Sequence, residues 1–290
     1  MSVHNNIEDT QGLETKYNNL KQYIRNLGSV AVAYSGGFDS TFLLKVCHDV
    51  LGDKTIAVSI RTDLQPAREY VGSDEFVKEE GIQHYIINFD GYEKLECFIK
   101  NPPDRCYFCK KEIFLKIIDL AGNKGIVNIV DGSNIDDMGD FRPGMKAVKE
   151  LNIKSPLKEA GMSKSDIRIL SKRLGLHTWN RLSPACMASR FPYGTAVTPD
   201  GIAMLNKAEQ CLLDLGFNQF RVRYHGEVAR IEILDDEINR FFDRDFMKKV
   251  STEIKKAGFT YVSLDLDGYR VGSMNDNVEN AILKDAGLKG

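Results

Sequence analysis

No stretch of the sequence approaches the roughly 18 consecutive apolar residues of a membrane-spanning helix, so no transmembrane segment is expected. Met1 to Glu14 lacks the apolar core of a secretory signal, which predicts a cytoplasmic protein. An excess of one charge is also missing: 39 Lys and Arg stand against 41 Asp and Glu, a net −2. That balance speaks against a protein devoted to coating nucleic acid, which needs a basic surface. Cysteine is scarce, six in 290 residues, too few for a disulfide-stapled scaffold. Internal repeats and low-complexity segments are absent. With 42% hydrophobic residues, the chain has enough apolar material for one large or two ordinary globular domains.

The first part of the chain alternates between two periodicities. Leu13, Tyr17, Leu20, Ile24 and Leu27 share a helix face, and Gly28 ends it. Ser29 to Tyr34 is a short apolar run that reads as a strand buried on both faces. A glycine turn, Ser35 to Ser40, leads into a helix carrying Leu43, Val46, Cys47 and Val50. Strands are predicted at Thr55 to Ile60, Ile82 to Phe89 and Gly125 to Val130. Helices are predicted at Pro66 to Glu80 and Asp104 to Leu120. Ser163 to Asp166 forms a capping box before a helix that Gly175 stops. Such alternation predicts an α/β fold with a parallel sheet covered on both faces.

After Gly194 the pattern becomes α+β. An amphipathic helix from Met204 to Leu215 precedes strands at Gln219 to Tyr224 and Val228 to Leu234. A charged helix, Asp236 to Ala257, and a strand, Thr260 to Leu266, follow. The expected division is 1–195 for the nucleotide-binding domain and 196–290 for a smaller C-terminal domain that binds substrate phosphate and supports oligomerisation.

The turn Ser35-Gly36-Gly37-Phe38-Asp39-Ser40 lacks the lysine and spacing of a Walker loop. Its physics is still that of a phosphate cradle. Two glycines bring backbone N–H groups close to an anion, and the helix that follows offers its positive N-terminus. Ser35 and Ser40 add hydroxyls, and Asp39 is the expected Mg²⁺ contact. The plain alternative is a tight βα turn. The motif resembles the PP-loop ATPases, which cleave ATP between the α and β phosphates and adenylate a substrate oxygen. That resemblance implies a Rossmann-like, adenine nucleotide α-hydrolase-type fold, with Ala33, Ser59, Arg61, Ser133 and Asn134 also near the nucleotide, at the strand ends where such sheets bind ligands.

Cys106 and Cys109 form a C-x-x-C pair at the start of a helix, where the dipole, Arg105, Lys110 and Lys111 favour thiolates. Cys186 sits in an irregular stretch, Ser183 to Arg190, flanked by Arg181 and Arg190. Cys47, Cys97 and Cys211 read as core residues. Three thiolates suit a [4Fe-4S] cluster with one open iron; zinc, persulfide or disulfide chemistry, and purely structural cysteines remain open. His48, His84, His177 and His225 show no ligand spacing, and none is assigned a role.

The combination resembles the LarE family of ATP-dependent sulfur transferases, which mature a nickel-pincer cofactor. The match rests on the PP-loop, Asn101 to Lys110, Asp131 to Asn134, Ser163 to Gly175, Ser183 to Gly194, Phe220 to Gly226 and Leu264 to Met274. One branch of that family sacrifices the sulfur of a single cysteine. The extra C-x-x-C here resembles the branch that holds a [4Fe-4S] cluster on three cysteines, which implies Cys106, Cys109 and Cys186 as ligands. Asp39, Cys186 and Arg190 are then the expected catalytic residues, with ATP and Mg²⁺ as cofactors. The family's substrate, a pyridinium dicarboxylate mononucleotide, needs a phosphate anchor. Arg221 and Arg223, two apart on one strand face, supply it, with Glu209 as companion; a charged face pairing with Glu232 is the plainer reading. The sulfur donor is open, a homo-oligomer is expected, and nucleic acid is not an expected partner. Cluster-dependent tRNA thiolation and a non-catalytic nucleotide-binding protein are the alternatives.

Overall fold

The computed structural model describes residues 2–66, 68–138, 143–180 and 185–270. In chain order the elements are α1 (Ser2–Leu27), β1 (Val30–Ala33), α2 (Phe38–Leu51), β2 (Thr55–Arg61), α3 (Arg68–Glu79) and β3 (Gln83–Asn88). Then come α4 (Glu96–Ile99), α5 (Arg105–Asn123), β4 (Ile129–Val130), α6 (Gly144–Glu150), α7 (Pro156–Glu159) and α8 (Lys164–Arg173). The rest are α9 (Pro199–Asp214), β5 (Phe220–His225), β6 (Val228–Ile233), α10 (Arg244–Lys256) and β7 (Tyr261–Leu264).

The chain forms two compact units. The first comprises Met1–Thr62, Ala67–Asp90 and Cys106–Pro184. Its four-stranded sheet has the order β3-β2-β1-β4, with every pairing parallel. Successive side chains of a strand face opposite ways. Val30 and Val32 therefore pack with Leu20, Phe42 and Leu170 on one face. Ala31, Ile56 and Val58 pack with Phe114, Ile117 and Val148 on the other. This is the sheet covered on both faces that the apolar runs predict. The Ser163 capping box is present, its hydroxyl accepting from Asp166 N.

β4 is shorter than the expected Gly125 to Val130. Ile126 N and Gly125 N bond back to the carbonyls of Ala121 and Gly122, closing α5 before the strand begins.

The second unit comprises Asp63–Pro66, Gly91–Arg105 and Ala185–Gly290. It therefore begins before residue 196 and draws in two earlier segments. Backbone bonds explain this: Met187 N donates to Leu64 O, Val197 N to Phe98 O and Gly194 N to Asn101 O. Its sheet runs β5-β6-β7, antiparallel then parallel. The charged helix expected from Asp236 to Ala257 is broken into a 3-10 turn, Asp235–Phe242, and α10. At the break Asp243 is extended, and its carboxylate accepts from Phe246 N at 2.8 Å, capping α10. No helix among the described residues is long and apolar enough to cross a membrane.

Candidate functional site

The glycine turn joins the C-terminal end of β1 to the first turn of α2. Ser40 Oγ donates to Gly37 O at 3.1 Å and lies 3.1 Å from Ser35 Oγ. Gly37 N reaches Ser35 Oγ at 3.4 Å. Gly36 has φ +75, and a Cβ there would lie 2.8 Å from Ser73 Cβ. Both backbone conformation and space therefore demand glycine.

The turn after β4 lies against this loop: a Cβ on Gly132 would meet Ser40 N at 3.0 Å. Asn134 Nδ2 donates to Asp39 Oδ1 at 3.2 Å, while Asn134 N donates to Asp137 Oδ2 at 3.1 Å. Lys164 Nζ stands 3.4 Å from Asp137 Oδ1. Arg168 covers the Phe38 ring at 4.5 Å. Burial, then the Asp137 carboxylate, pushes the Asp39 carboxyl up to about 7, against the pull of Lys164, Asn134 and Arg168. Two neighbouring carboxylates of this kind form a donor set that a hard divalent cation would neutralise. Sequence reasoning does not single out Asp137 or Lys164; the acidic pair Asp136-Asp137 just after Ser133-Asn134 is the signal that could have found the former.

The other expected nucleotide residues line the same sheet edge. Ala33 ends β1. Ser59 Oγ donates to Tyr34 O at 2.8 Å and contacts His84 Nε2 at 2.8 Å. Arg61 is ion-paired with Asp74. Ser133 Oγ donates to Asp131 Oδ2 at 2.6 Å.

Cys106 and Cys109 lie in the first two turns of α5, the former exposed and the latter half-buried. The Lys110 chain passes 2.8 Å from where a Gly144 Cβ would sit, and its ammonium stands 3.9 Å from Asp131 Oδ2. Cys186 is exposed and belongs to the second unit. Its loop is held by Arg190 Nη1, which donates to Ala185 O at 3.0 Å and Cys186 O at 3.2 Å. Arg181, Ser183 and Pro184 lie outside the described residues, as do Val271 to Met274. Among the described residues, no three Cys, His, Asp or Glu side chains are gathered as a metal site. The donor chemistry of each segment is nonetheless that of a thiophilic metal ligand: none of the three thiols is in a disulfide, and none is fully buried. Cys47 and Cys97 are buried as expected, and Cys211 is half-buried.

In the second unit, Arg190 forms a two-pronged pair with buried Glu209, at 2.9 and 3.1 Å. Glu209 Oε1 also accepts from Val222 N at 3.3 Å, tying α9 to β5. Arg223 pairs in the same way with Glu232, at 2.8 and 2.7 Å, and donates to Ser189 O at 3.0 Å. The plain reading of Arg223 as a partner of Glu232 therefore describes its contacts. Arg221 differs. It makes no ion pair with a carboxylate among the described residues, and its guanidinium stacks 5.2 Å from the Tyr269 ring. Burial and the neighbouring Arg190 hold its pKa below the usual value. It is a half-buried cation whose acceptors among the described residues are neutral, Phe220 O at 2.6 Å and the Tyr269 hydroxyl at 3.5 Å.

A parallel sheet whose first strand feeds a glycine loop and helix N-terminus, with an acidic pair beside it, defines a PP-loop-type nucleotide fold. No family model matches the chain. It is 39% identical over 272 residues to the pyridinium-3,5-bisthiocarboxylic acid mononucleotide synthase of Lactiplantibacillus plantarum, covering 93% of this chain and 98% of that protein. It is 37% identical to an uncharacterized Synechocystis protein, covering 91% and 98% of the two chains. A more distant likeness, 25% over 205 residues, is to a glutamine-hydrolyzing GMP synthase chain of Archaeoglobus fulgidus, with 63% of each chain covered. The chain belongs to the pyridinium-3,5-bisthiocarboxylic acid mononucleotide synthase (LarE) family of sulfur transferases.

Proposed function

We propose that the protein is a cytoplasmic ATP-dependent sulfur transferase that converts a carboxylate of pyridinium-3,5-dicarboxylate mononucleotide into a thiocarboxylate. The observation that carries this reading is near-full-length similarity to a synthase whose name states the doubly thiolated product. The Asp39–Asp137 pair beside the glycine loop supports Mg-ATP binding. The loop amides and the N-terminus of α2 hold the phosphates. Asp39 and Asp137 hold the cation, with Asn134 orienting Asp39. Lys164 and Arg168 offset charge on the departing pyrophosphate.

A carboxylate is a poor electrophile with a poor leaving group. Its oxygen attacks the α-phosphorus, the α–β bridging bond breaks, and pyrophosphate leaves. The acyl-adenylate then exchanges AMP for sulfur at the carbonyl carbon. Arg221 anchors the mononucleotide phosphate, while Arg223, Glu209 and Arg190 hold β5 and the Cys186 loop in position. A [4Fe-4S] cluster on Cys106, Cys109 and Cys186 would supply sulfide. A homo-oligomer and a separate sulfur donor belong to the same reading.

The test is incubation of anaerobically purified, iron- and sulfide-reconstituted protein with Mg-ATP and the dicarboxylate mononucleotide. AMP, pyrophosphate and a substrate in which oxygen has been exchanged for sulfur are expected in step. ATP binding without pyrophosphate release would overturn the enzyme reading, and a substrate-dependent release without thiolation would overturn the sulfur step.

A further inference from the structure

His84 has no recognisable ligand spacing in the sequence, yet its contacts are specific. A serine hydroxyl has one hydrogen and two lone pairs. Tyr34 O can only accept, so at 2.8 Å the Ser59 hydrogen points to it. His84 Nε2, also 2.8 Å from Ser59 Oγ, must then bring its own hydrogen. In a neutral imidazole that leaves Nδ1 bare. Nδ1 stands 3.8 Å from Asp74 Oδ1, and Asp74 is ion-paired with Arg61. The Tyr34 ring meets the imidazole edge-on, centroids 6.1 Å apart. Among the described residues, the polar groups that face it are Ser59 and Arg61 from β2, Asp74 from α3 and Tyr34 after β1. Burial, assisted by Arg61, outweighs Asp74 and keeps the ring below its ordinary pKa.

Ser59 therefore has no hydrogen left, but it retains one lone pair. It lies near the end of β2 at the carboxyl edge of the sheet, where nucleotides bind in such folds. We propose that His84 is a positioning residue that, with the Tyr34 carbonyl, locks Ser59 as an acceptor, so that the site selects a purine bearing an amino group at C6 over one bearing a carbonyl. A C6 amino group donates to that lone pair; a C6 carbonyl meets it lone pair to lone pair. This rests on the nucleotide reading above.

The experiment measures equilibrium binding of ATP and inosine triphosphate to the full chain, together with long-range ¹⁵N–¹H spectra of its histidines. The unmodified protein should prefer ATP about tenfold, the difference of one satisfied against one opposed hydrogen bond. Ser59→Ala should bring the preference close to unity, and His84→Leu, which leaves the Tyr34 carbonyl alone to hold the hydroxyl, should lower it in part. His84→Gln, whose amide can donate to Ser59, should keep most of it and identifies the His84 signals by their loss. Those signals should show the Nε2–H tautomer. If His84→Leu fails to fold, Ser59→Ala, His84→Gln and the spectrum still decide the matter. Equal binding of the two nucleotides, or an Nδ1–H tautomer, overturns the proposal and leaves the sulfur-transfer reading standing. Binding of neither nucleotide overturns both.

Discussion

Asn134 donates its side-chain amide to Asp39 across 95 positions of sequence, Nδ2 to Oδ1 at 3.2 Å. The contact ties the turn after β4 to the glycine loop after β1, and it holds one oxygen of a carboxylate whose pKa is pushed up to about 7. Replacing Asp39 by Asn keeps shape and hydrogen bonding but removes the charge. Pyrophosphate release should fall by about a hundredfold or more, since cation-bound phosphate chemistry depends on that charge. Parallel pyrophosphate-release assays on both proteins check it.

The same raised value sets a pH dependence of stability. An acid that titrates higher folded than unfolded binds more protons when folded. Its contribution is full below the unfolded value, about 4, and is lost as pH rises through about 7. Urea unfolding should therefore find Asp39→Asn gaining on the unmodified protein between pH 5 and pH 8. Mg²⁺ at pH 8 should recover the loss in the unmodified protein only. A difference that stays constant with pH would contradict the assignment.

Gly36 tests the loop without touching charge. At φ +75 with Ser73 Cβ 2.8 Å from the added atom, Gly36→Ala should cost about 1–3 kcal/mol of stability and loosen nucleotide binding. Adding Ser73→Gly relieves the clash but not the dihedral, so recovery should be partial. Chemical denaturation and nucleotide titration of both variants check it.

The sheet of the first unit was legible because buried strands and glycine-closed helices leave local signals. Val30 to Ala33 and the Ser163–Asp166 box each declare themselves within a few residues. The site was legible only where one segment carries it, as in Ser35 to Ser40. Arg190 with Glu209, and His84 with Ser59, pair across 19 and 25 positions, and no spacing rule spans such gaps. The break at Asp243 was hidden because an aspartate within a charged run reads equally as helix surface or as cap.

The three thiols separate cluster chemistry from folding. In the first unit, Cys106→Ala with Cys109→Ala removes one exposed and one half-buried side chain, so thermal stability of the unreconstituted protein and ATP binding should hold. Iron and sulfide uptake on anaerobic reconstitution should fall to background. Cys47→Ser should do the reverse, since that thiol is fully buried on α2. A hydroxyl there lacks a designed partner and costs about 1–3 kcal/mol. Iron uptake unchanged in the double variant would remove the pair from the ligand set.

The arginines of the second unit make the sharpest contrast. Arg190 and Arg223 each face a buried carboxylate, whereas Arg221 has none among the described residues. Breaking a buried pair strands its partner charge, so Arg223→Ala or Glu209→Ala should cost about 3 kcal/mol or more. Arg221→Ala instead removes a cation that burial and Arg190 already disfavour, so stability should hold or rise slightly. Its cost should appear as a raised KM for the mononucleotide, about tenfold or more for a lost phosphate contact. A dephosphorylated substrate should be nearly indifferent to the change. Thermal unfolding of all three variants and steady-state kinetics with both substrates test the division. An Arg221→Ala variant that unfolds early, or that keeps its KM, would move the phosphate anchor elsewhere.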